Sequence, residues 1–161
     1  MQRRVKLRID LEKEYGIVLE GGGARGAYQI GVWKALREAG VKIRGVAGTS
    51  VGALNGALIC MDDLETAEKI WENMTYSTVV QIDDSMIEKL KKFGVRSMKM
   101  TDAAAEFKRV VSDRGLDISP LKKLLEDTVD EERIRRSPRD FCAASFSVTD
   151  RREEDFDVKS A

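Results

Sequence analysis

The chain contains no histidine among its 161 residues, and that absence removes the commonest route to a nucleophilic serine or cysteine. A Ser-His-Asp triad or a Cys-His pair needs an imidazole as general base, so neither can be assembled within this sequence. An excess of one charge is missing too, because 28 Lys and Arg balance 28 Asp and Glu. No global field therefore draws the surface to nucleic acid or to an anionic membrane; nucleic acid is not an expected partner, and any such attraction has to be local. Cysteine is scarce, with only Cys60 and Cys142. They lie far apart in apolar surroundings, which fits reduced core thiols in a cytoplasmic protein better than a disulfide. Met1 to Glu14 interleaves basic, acidic and apolar residues and does not read as a secretory signal. Val46 to Met61, the most apolar stretch, is too short to cross a bilayer and is interrupted by Thr49, Ser50 and Asn55. The length suits one domain with a modest core.

Glycine, by contrast, is concentrated. Of the 13 glycines, all but Gly94 and Gly115 fall between Gly16 and Gly56. Two signatures stand out there: Gly21-Gly22-Gly23-Ala24-Arg25-Gly26, and Gly48-Thr49-Ser50-Val51-Gly52. Glycine is costly inside regular structure and is placed where the backbone turns tightly or approaches something closely, so the cluster marks the chemically active part of the chain.

The elements around the signatures follow an α/β order. Gly16 to Leu19 is a short apolar run feeding the first signature, as a buried parallel strand does. Ile30, Val32, Trp33 and Leu36 recur near helical spacing within Ala27 to Ala39, and Gly40 is the expected stop. Val41 to Ala47 makes a second strand. A right-handed βαβ unit with such short connections places both signatures at the carboxyl edge of one parallel sheet. Val51 to Met61 is expected as a central buried helix, with Gly52, Asn55, Gly56 and Ala57 allowing close approach to the sheet. Asp62 or Asp63 can cap the next helix, which carries Leu64, Ala67, Ile70 and Trp71 on one face. Two amphipathic helices are expected between Met86 and Val111, broken around Gly94. A helix follows from Leu121 to Thr128 after Ser119-Pro120, then a short charged one from Asp130 to Arg136. Phe141 to Val148 and Glu153 to Val158 read as two further strands joined by a turn.

A serine in Gly-x-Ser-x-Gly between a strand and a helix is held in a sharp turn with its hydroxyl projecting over the sheet edge. The amides at the start of the following helix, and those of a glycine-rich loop beside it, would stabilise an oxyanion forming on a substrate carbonyl. Two other readings stand beside this one. The serine could merely cap a tight strand-to-helix turn, leaving a non-catalytic binding or scaffold module that holds an anion in the glycine nest. Alternatively, Gly21, Gly23 and Gly26 match the spacing of a dinucleotide-binding loop. That reading requires an acid at the end of the second strand, where Val46-Ala47-Gly48-Thr49-Ser50 has none.

On these residues the chain resembles the patatin-like phospholipase family, bacterial type. Gly16-Ile17-Val18-Leu19-Glu20 with Gly21 to Gly26 is similar to that family's first strand and oxyanion loop, and Gly48 to Gly52 to its nucleophile elbow. The likeness continues more weakly through Ser119-Pro120-Leu121 to the strand at Phe141 to Val148. The resemblance implies an α/β fold, a parallel-sheet, three-layer architecture related to the α/β hydrolases. It also implies a lipid acyl hydrolase working with a Ser-Asp dyad, which needs no histidine. Ser50 would be the nucleophile, Gly21, Gly22, Gly23, Ala24, Arg25 and Gly26 the oxyanion and substrate loop, and Gly48, Thr49, Val51 and Gly52 the elbow. No metal and no cofactor are implied, and a lipid or acyl ester is the expected substrate, met through transient contact with a membrane surface by a cytoplasmic protein.

The family's aspartate stands in an Asp-Gly-Gly or Asp-Gly-Ala motif, and no aspartate here is followed by glycine. Asp113-Arg114-Gly115 has the wrong spacing. Residues 1–161 are therefore expected to be an incomplete patatin-like domain, truncated on the C-terminal side before its catalytic aspartate, nearly inactive alone and prone to self-association through an uncovered sheet edge. Arg25 is suited to pinning the loop to carbonyl groups or to meeting a phospholipid phosphate. Lys89, Lys91, Lys92, Arg96 and Lys99, interleaved with Leu90, Phe93, Met98 and Met100, form either a solvated helical face or an interfacial surface for anionic lipid. Trp33 and Trp71 are expected to pack against the sheet.

Overall fold

The computed structural model describes residues 9–79, 118–147 and 149–159. Four strands form one sheet in the order β1 (Glu14–Leu19), β2 (Lys42–Thr49), β3 (Asp140–Ser147) and β4 (Arg152–Asp157). Strands β1 and β3 both run parallel to β2, whereas β4 returns antiparallel to β3 after a turn at residues 149–151. Leu19 is paired with Gly48, so both glycine signatures leave the sheet at its carboxyl edge, as the βαβ reading requires.

Helix α1 (Gly26–Glu38) joins β1 to β2 and buries Ile30 and Trp33. It ends where the sequence places its stop: Val41 N–H donates to Leu36 O and Gly40 N–H to Arg37 O, both at 3.0 Å, with Gly40 at φ 76°. That pattern of paired bonds closes a helix on a left-handed residue.

Helix α2 (Val51–Met61) is the centre of the core. All its residues except Val51 and Ala53 are buried, which is the expectation for a helix apolar on every side. It crosses β1, β2 and β3 on one face of the sheet and packs against α1. Its approach is close because Gly56 has no side chain: a Cβ there would lie 2.6 Å from Phe141 Cε2 and 3.2 Å from Val46 Cγ1. Fully buried Leu58 and Ile59 contribute about 1.5–3 kcal/mol each through apolar burial. The helix stops at Asp62, which is left-handed at φ 56°, and Asp63 then accepts from Thr66 N–H at 3.1 Å to start α3 (Leu64–Asn73). Of the two aspartates proposed as caps, Asp63 is the one used.

By strand alternation, Val18 and Phe146 point away from α2, and they are 85% and 57% exposed. The third layer of the expected architecture is not found among the described residues.

Contacts divide the chain into two compact units, Met1–Glu72 with Val129–Ala161, and Asn73–Thr128. The first holds the sheet, α1, α2 and both glycine signatures. In the second, α4 (Tyr76–Val79) packs against α5 (Ser119–Thr128). Helix α5 starts two residues earlier than the proline signal suggests, because Lys122 N–H already reaches Ile118 O at 2.9 Å. The short charged helix, α6 (Glu131–Arg135), belongs to the first unit and is capped by Asp130, which accepts from Arg133 N–H at 3.0 Å. The helices expected between Met86 and Val111, the basic stretch Lys89 to Met100, Asp113-Arg114-Gly115 and Val148 lie outside the described residues.

Candidate active site

Ser50 occupies the turn between β2 and α2 with φ 54° and ψ −128°. A non-glycine residue held at positive φ outside the usual left-handed well stores about 1–3 kcal/mol, which the packing around it has to offset. That packing is supplied by the two flanking glycines. A Cβ on Gly48 would collide with the carbonyl of Gly52 and lie 2.7 Å from Ala53 N, and one on Gly52 would collide with Leu19 O and lie 2.9 Å from Glu20 O. The start of α2 is thus wedged between the elbow and the end of β1, and neither glycine can carry a side chain.

The serine hydroxyl is not spent on the helix. Ser50 is the residue before α2, yet its side chain makes no capping hydrogen bond, and among the described residues its Oγ has no hydrogen-bond partner. The reading of Ser50 as a simple helix cap therefore has no support in the geometry. Its own carbonyl accepts from Ala53 N–H at 2.9 Å, leaving the amides of Val51 and Gly52 without an acceptor inside the helix.

The first glycine signature folds directly beside this serine. A Cβ on Gly21 would lie 3.2 Å from Ser50 Cβ and 3.8 Å from its Oγ. Residues Gly23–Arg25 then form a single 3₁₀ turn running straight into α1. The first amide satisfied there is that of Arg25, which donates to Gly22 O at 3.2 Å; Gly23 and Ala24 N–H precede any acceptor in the turn. Unspent amides thus stand in the loop that Gly21 sets against Ser50 and at the head of the helix that Ser50 begins.

Arg25 folds back over Gly22 rather than reaching a carbonyl group. Its guanidinium pairs with Glu20 at 3.7 Å, with both side chains about three-quarters exposed at 75% and 76%, a weak contact in water. The other end of α2 is of a different kind. A cleft of about 530 Å³ opens there, lined by Cys60, Asp62, Arg133, Arg136 and Arg139 among others. It sits about 16 Å along the helix from Ser50, from the helical rise per residue, and two of its arginines are paired, Arg133 with Asp63 and Arg139 with Asp62. Cys60 is buried, and desolvation pushes its thiol up to about 11 although Arg139 and Lys159 act in the opposite direction. Both cysteines are free.

The sequence profile of patatin-like phospholipases matches residues 17–159, a span that contains both glycine signatures and all of β2 to β4. The chain belongs to the patatin-like phospholipase family. Among curated relatives of this patatin-like chain, the neuropathy target esterase sws of Drosophila sechellia is 37% identical over a region covering 65% of the chain and 7% of that protein. The lysophospholipase nte1 of Aspergillus terreus is 58% identical over 31% of the chain and 3% of its own length. The chain thus spans only a small part of the relatives it matches. Among solved structures, VipD from Legionella pneumophila superposes with a TM-score of 0.52 at 16% identity, covering 91% of this chain and 39% of that one, a likeness of fold.

Sequence reasoning placed every residue of the two signatures at one sheet edge, and the structure brings Gly21 and Ser50 into contact there. It missed Asn55, read only as a small residue easing helix packing. Asn55 is completely buried and makes hydrogen bonds to α1 and α3. The one available signal was an amide side chain inside an otherwise apolar helix, because a buried amide needs partners. Trp71 also departs from expectation: its indole lies on Gly26 of α1, where no Cβ competes for the space, and not on the sheet.

Proposed function

We propose that Ser50 is the nucleophile of a lipid acyl hydrolase of the Ser-Asp type. What supports this most is Ser50 itself, held at φ 54° against Gly21 with its hydroxyl unbonded among the described residues. In this reading Ser50 Oγ attacks the carbonyl carbon of an acyl ester while its proton passes to an aspartate. The oxyanion lies against the amides of Gly22, Gly23 and Ala24. Collapse of the tetrahedral intermediate expels the alcohol, which takes the proton back, and water then repeats the sequence on the acyl-serine to release the fatty acid.

The aspartate belongs to an Asp-Gly segment, which this sequence does not contain. Residues 1–161 are accordingly the nucleophile-bearing part of a patatin-like domain, and alone they turn over substrate on the order of 10⁴-fold or more slowly than with the base present. The substrate is an acyl ester of a lipid, a reading supported by the esterase and lysophospholipase names of the relatives. The protein works from the cytoplasm at a lipid surface; no described helix is long and apolar enough to cross a membrane. Among the described residues no strand pairs with the outer edge of β1, beside exposed Val18, and this is the edge proposed for self-association, since the charges of β4 disfavour pairing there. A monomeric profile at high concentration in sizing experiments would count against that contact.

The test compares the intact protein with Ser50→Ala on lysophospholipid micelles and on a soluble p-nitrophenyl ester. Loss of about 10⁴-fold in the variant is expected. Equal turnover by both would exclude Ser50, and a folded protein with no turnover in either form would return the site to an anion-holding module.

A further inference from the structure

Asn55 sits between three elements with no solvent exposure. Its Oδ1 accepts from Trp71 Nε1 at 2.8 Å. Its Nδ2 donates to Gly26 O at 3.0 Å and to Gln29 Oε1 at 2.8 Å. Gln29 in turn donates from Nε2 to Glu20 O at 2.8 Å. Glu20 and Gly26 are the two ends of the glycine loop that faces Ser50. One chain of side-chain bonds therefore holds the loop at its entry and at its exit, and roots both holds in α2, the helix that Ser50 begins.

The orientation of this chain is fixed by three groups that each bond in only one sense: the Trp71 indole N–H and the carbonyls of Gly26 and Glu20. An amide can be turned over with little change of shape, exchanging donor for acceptor, and both Asn55 and Gln29 are amides. An indole N–H can only donate. Trp71 and the Gly26 carbonyl, which can only accept, agree in turning the Asn55 oxygen to the indole and its NH₂ to Gly26 and Gln29. Gln29 must then present oxygen to Asn55 and NH₂ to Glu20. Remove the indole N–H and the fully buried Asn55 Oδ1 is left without a donor, so the side chain that holds Gly26 and Gln29 loses its fixed end on α3.

We infer that Trp71, through Asn55 and Gln29, is the positioning residue that sets the Glu20–Gly26 loop against Ser50. The inference rests on the reading of Ser50 as nucleophile for its catalytic meaning, but not for its geometry. Oxyanion donors act only when fixed at the position of the developing charge, so a loop loosened at both ends retains its amides and loses their effect.

The experiment uses the intact protein, with Trp71→Phe and Asn55→Leu, read by amide hydrogen exchange and by the rate at which a fluorophosphonate probe labels Ser50. In Trp71→Phe the amides of residues 21–26 should exchange at least tenfold faster while those of β2 and of α2 beyond its first turn do not change. Labelling should slow tenfold or more in the maximal rate, with half-saturating probe concentration altered less than threefold. Asn55→Leu should repeat the pattern more strongly, and Trp71→Phe keeps the test decisive if the Asn55 variant fails to fold. Unchanged exchange at 21–26 in folded Trp71→Phe would overturn the inference, as would uniform acceleration across α2, which marks general destabilisation. Selective exchange in a protein whose Ser50 never labels would uphold the clamp and overturn the proposed function.

Discussion

Gly21 presses on Ser50 so closely that an added Cβ would stand 3.2 Å from the serine Cβ and 3.6 Å from Thr49 O. The two glycine signatures are thus one surface, with the loop forming the wall against which the serine side chain is set. Gly21→Ala should displace that side chain by a few tenths of an ångström without a large loss of core packing. We expect phosphonate labelling of Ser50 to slow tenfold or more while the melting temperature falls by only a few degrees, about 1 kcal/mol. Labelling at the wild-type rate would contradict the contact.

Gly52→Ala should behave differently. Its new methyl group would meet the Leu19 carbonyl and Glu20 O, backbone atoms that cannot swing aside as a side chain would. Unfolding in urea should show a loss of about 3 kcal/mol or more, or no cooperative transition at all. A loss below about 1 kcal/mol would mean that α2 does not lie against β1 as described.

Asp63 provides a pH-dependent contribution. Burial raises its carboxyl pKa, but hydrogen bonds from Thr66 and from Arg133, with the Arg133 charge, outweigh that and leave it below the ordinary carboxylate value. A carboxylate depressed on folding contributes stability above its unfolded pKa of about 4 and loses it as pH falls through the lower folded value. Asp63→Ala should cost about 1 kcal/mol at pH 7 through the lost cap. Asp63→Asn keeps a capping oxygen, so its smaller deficit reports the charge and should shrink between pH 5 and pH 2. Urea titrations at those pH values measure it, and a deficit that grows on acidification would contradict the sign.

Cys60 should be inert in the folded protein. With its thiol raised to about 11 by burial, almost no thiolate exists near neutrality. Iodoacetamide at pH 7.5 should leave Cys60 unmodified by mass spectrometry in buffer and alkylate it in urea. Rapid native alkylation would place it on the surface and displace Phe141 and Ser137 from their partners on α2.

The parts of the fold closest to the glycines were the most legible from sequence, because local signals govern them. Gly40 stops α1, the apolar run from Val51 to Met61 makes α2, and the placing of both glycine signatures at one sheet edge follows from a short βαβ connection. The site's backbone was readable for the same reason, since only glycine fits at the positions of Gly48 and Gly52. Asn55 was not readable. Its partners, Gln29 and Trp71, stand 26 and 16 residues away and meet it only through tertiary packing. Trp71 was misplaced for a related reason: helical periodicity gives the apolar face of α3 but not what covers it, and the vacancy at Gly26 decides that.

Covalent labelling tests whether Ser50 is an activated nucleophile without knowledge of the lipid. The intact protein, treated with a fluorophosphonate and digested, should carry one adduct on the peptide containing Gly48-Thr49-Ser50-Val51-Gly52, absent in Ser50→Ala. A folded protein with no adduct, or an adduct on another serine that persists in Ser50→Ala, would contradict it.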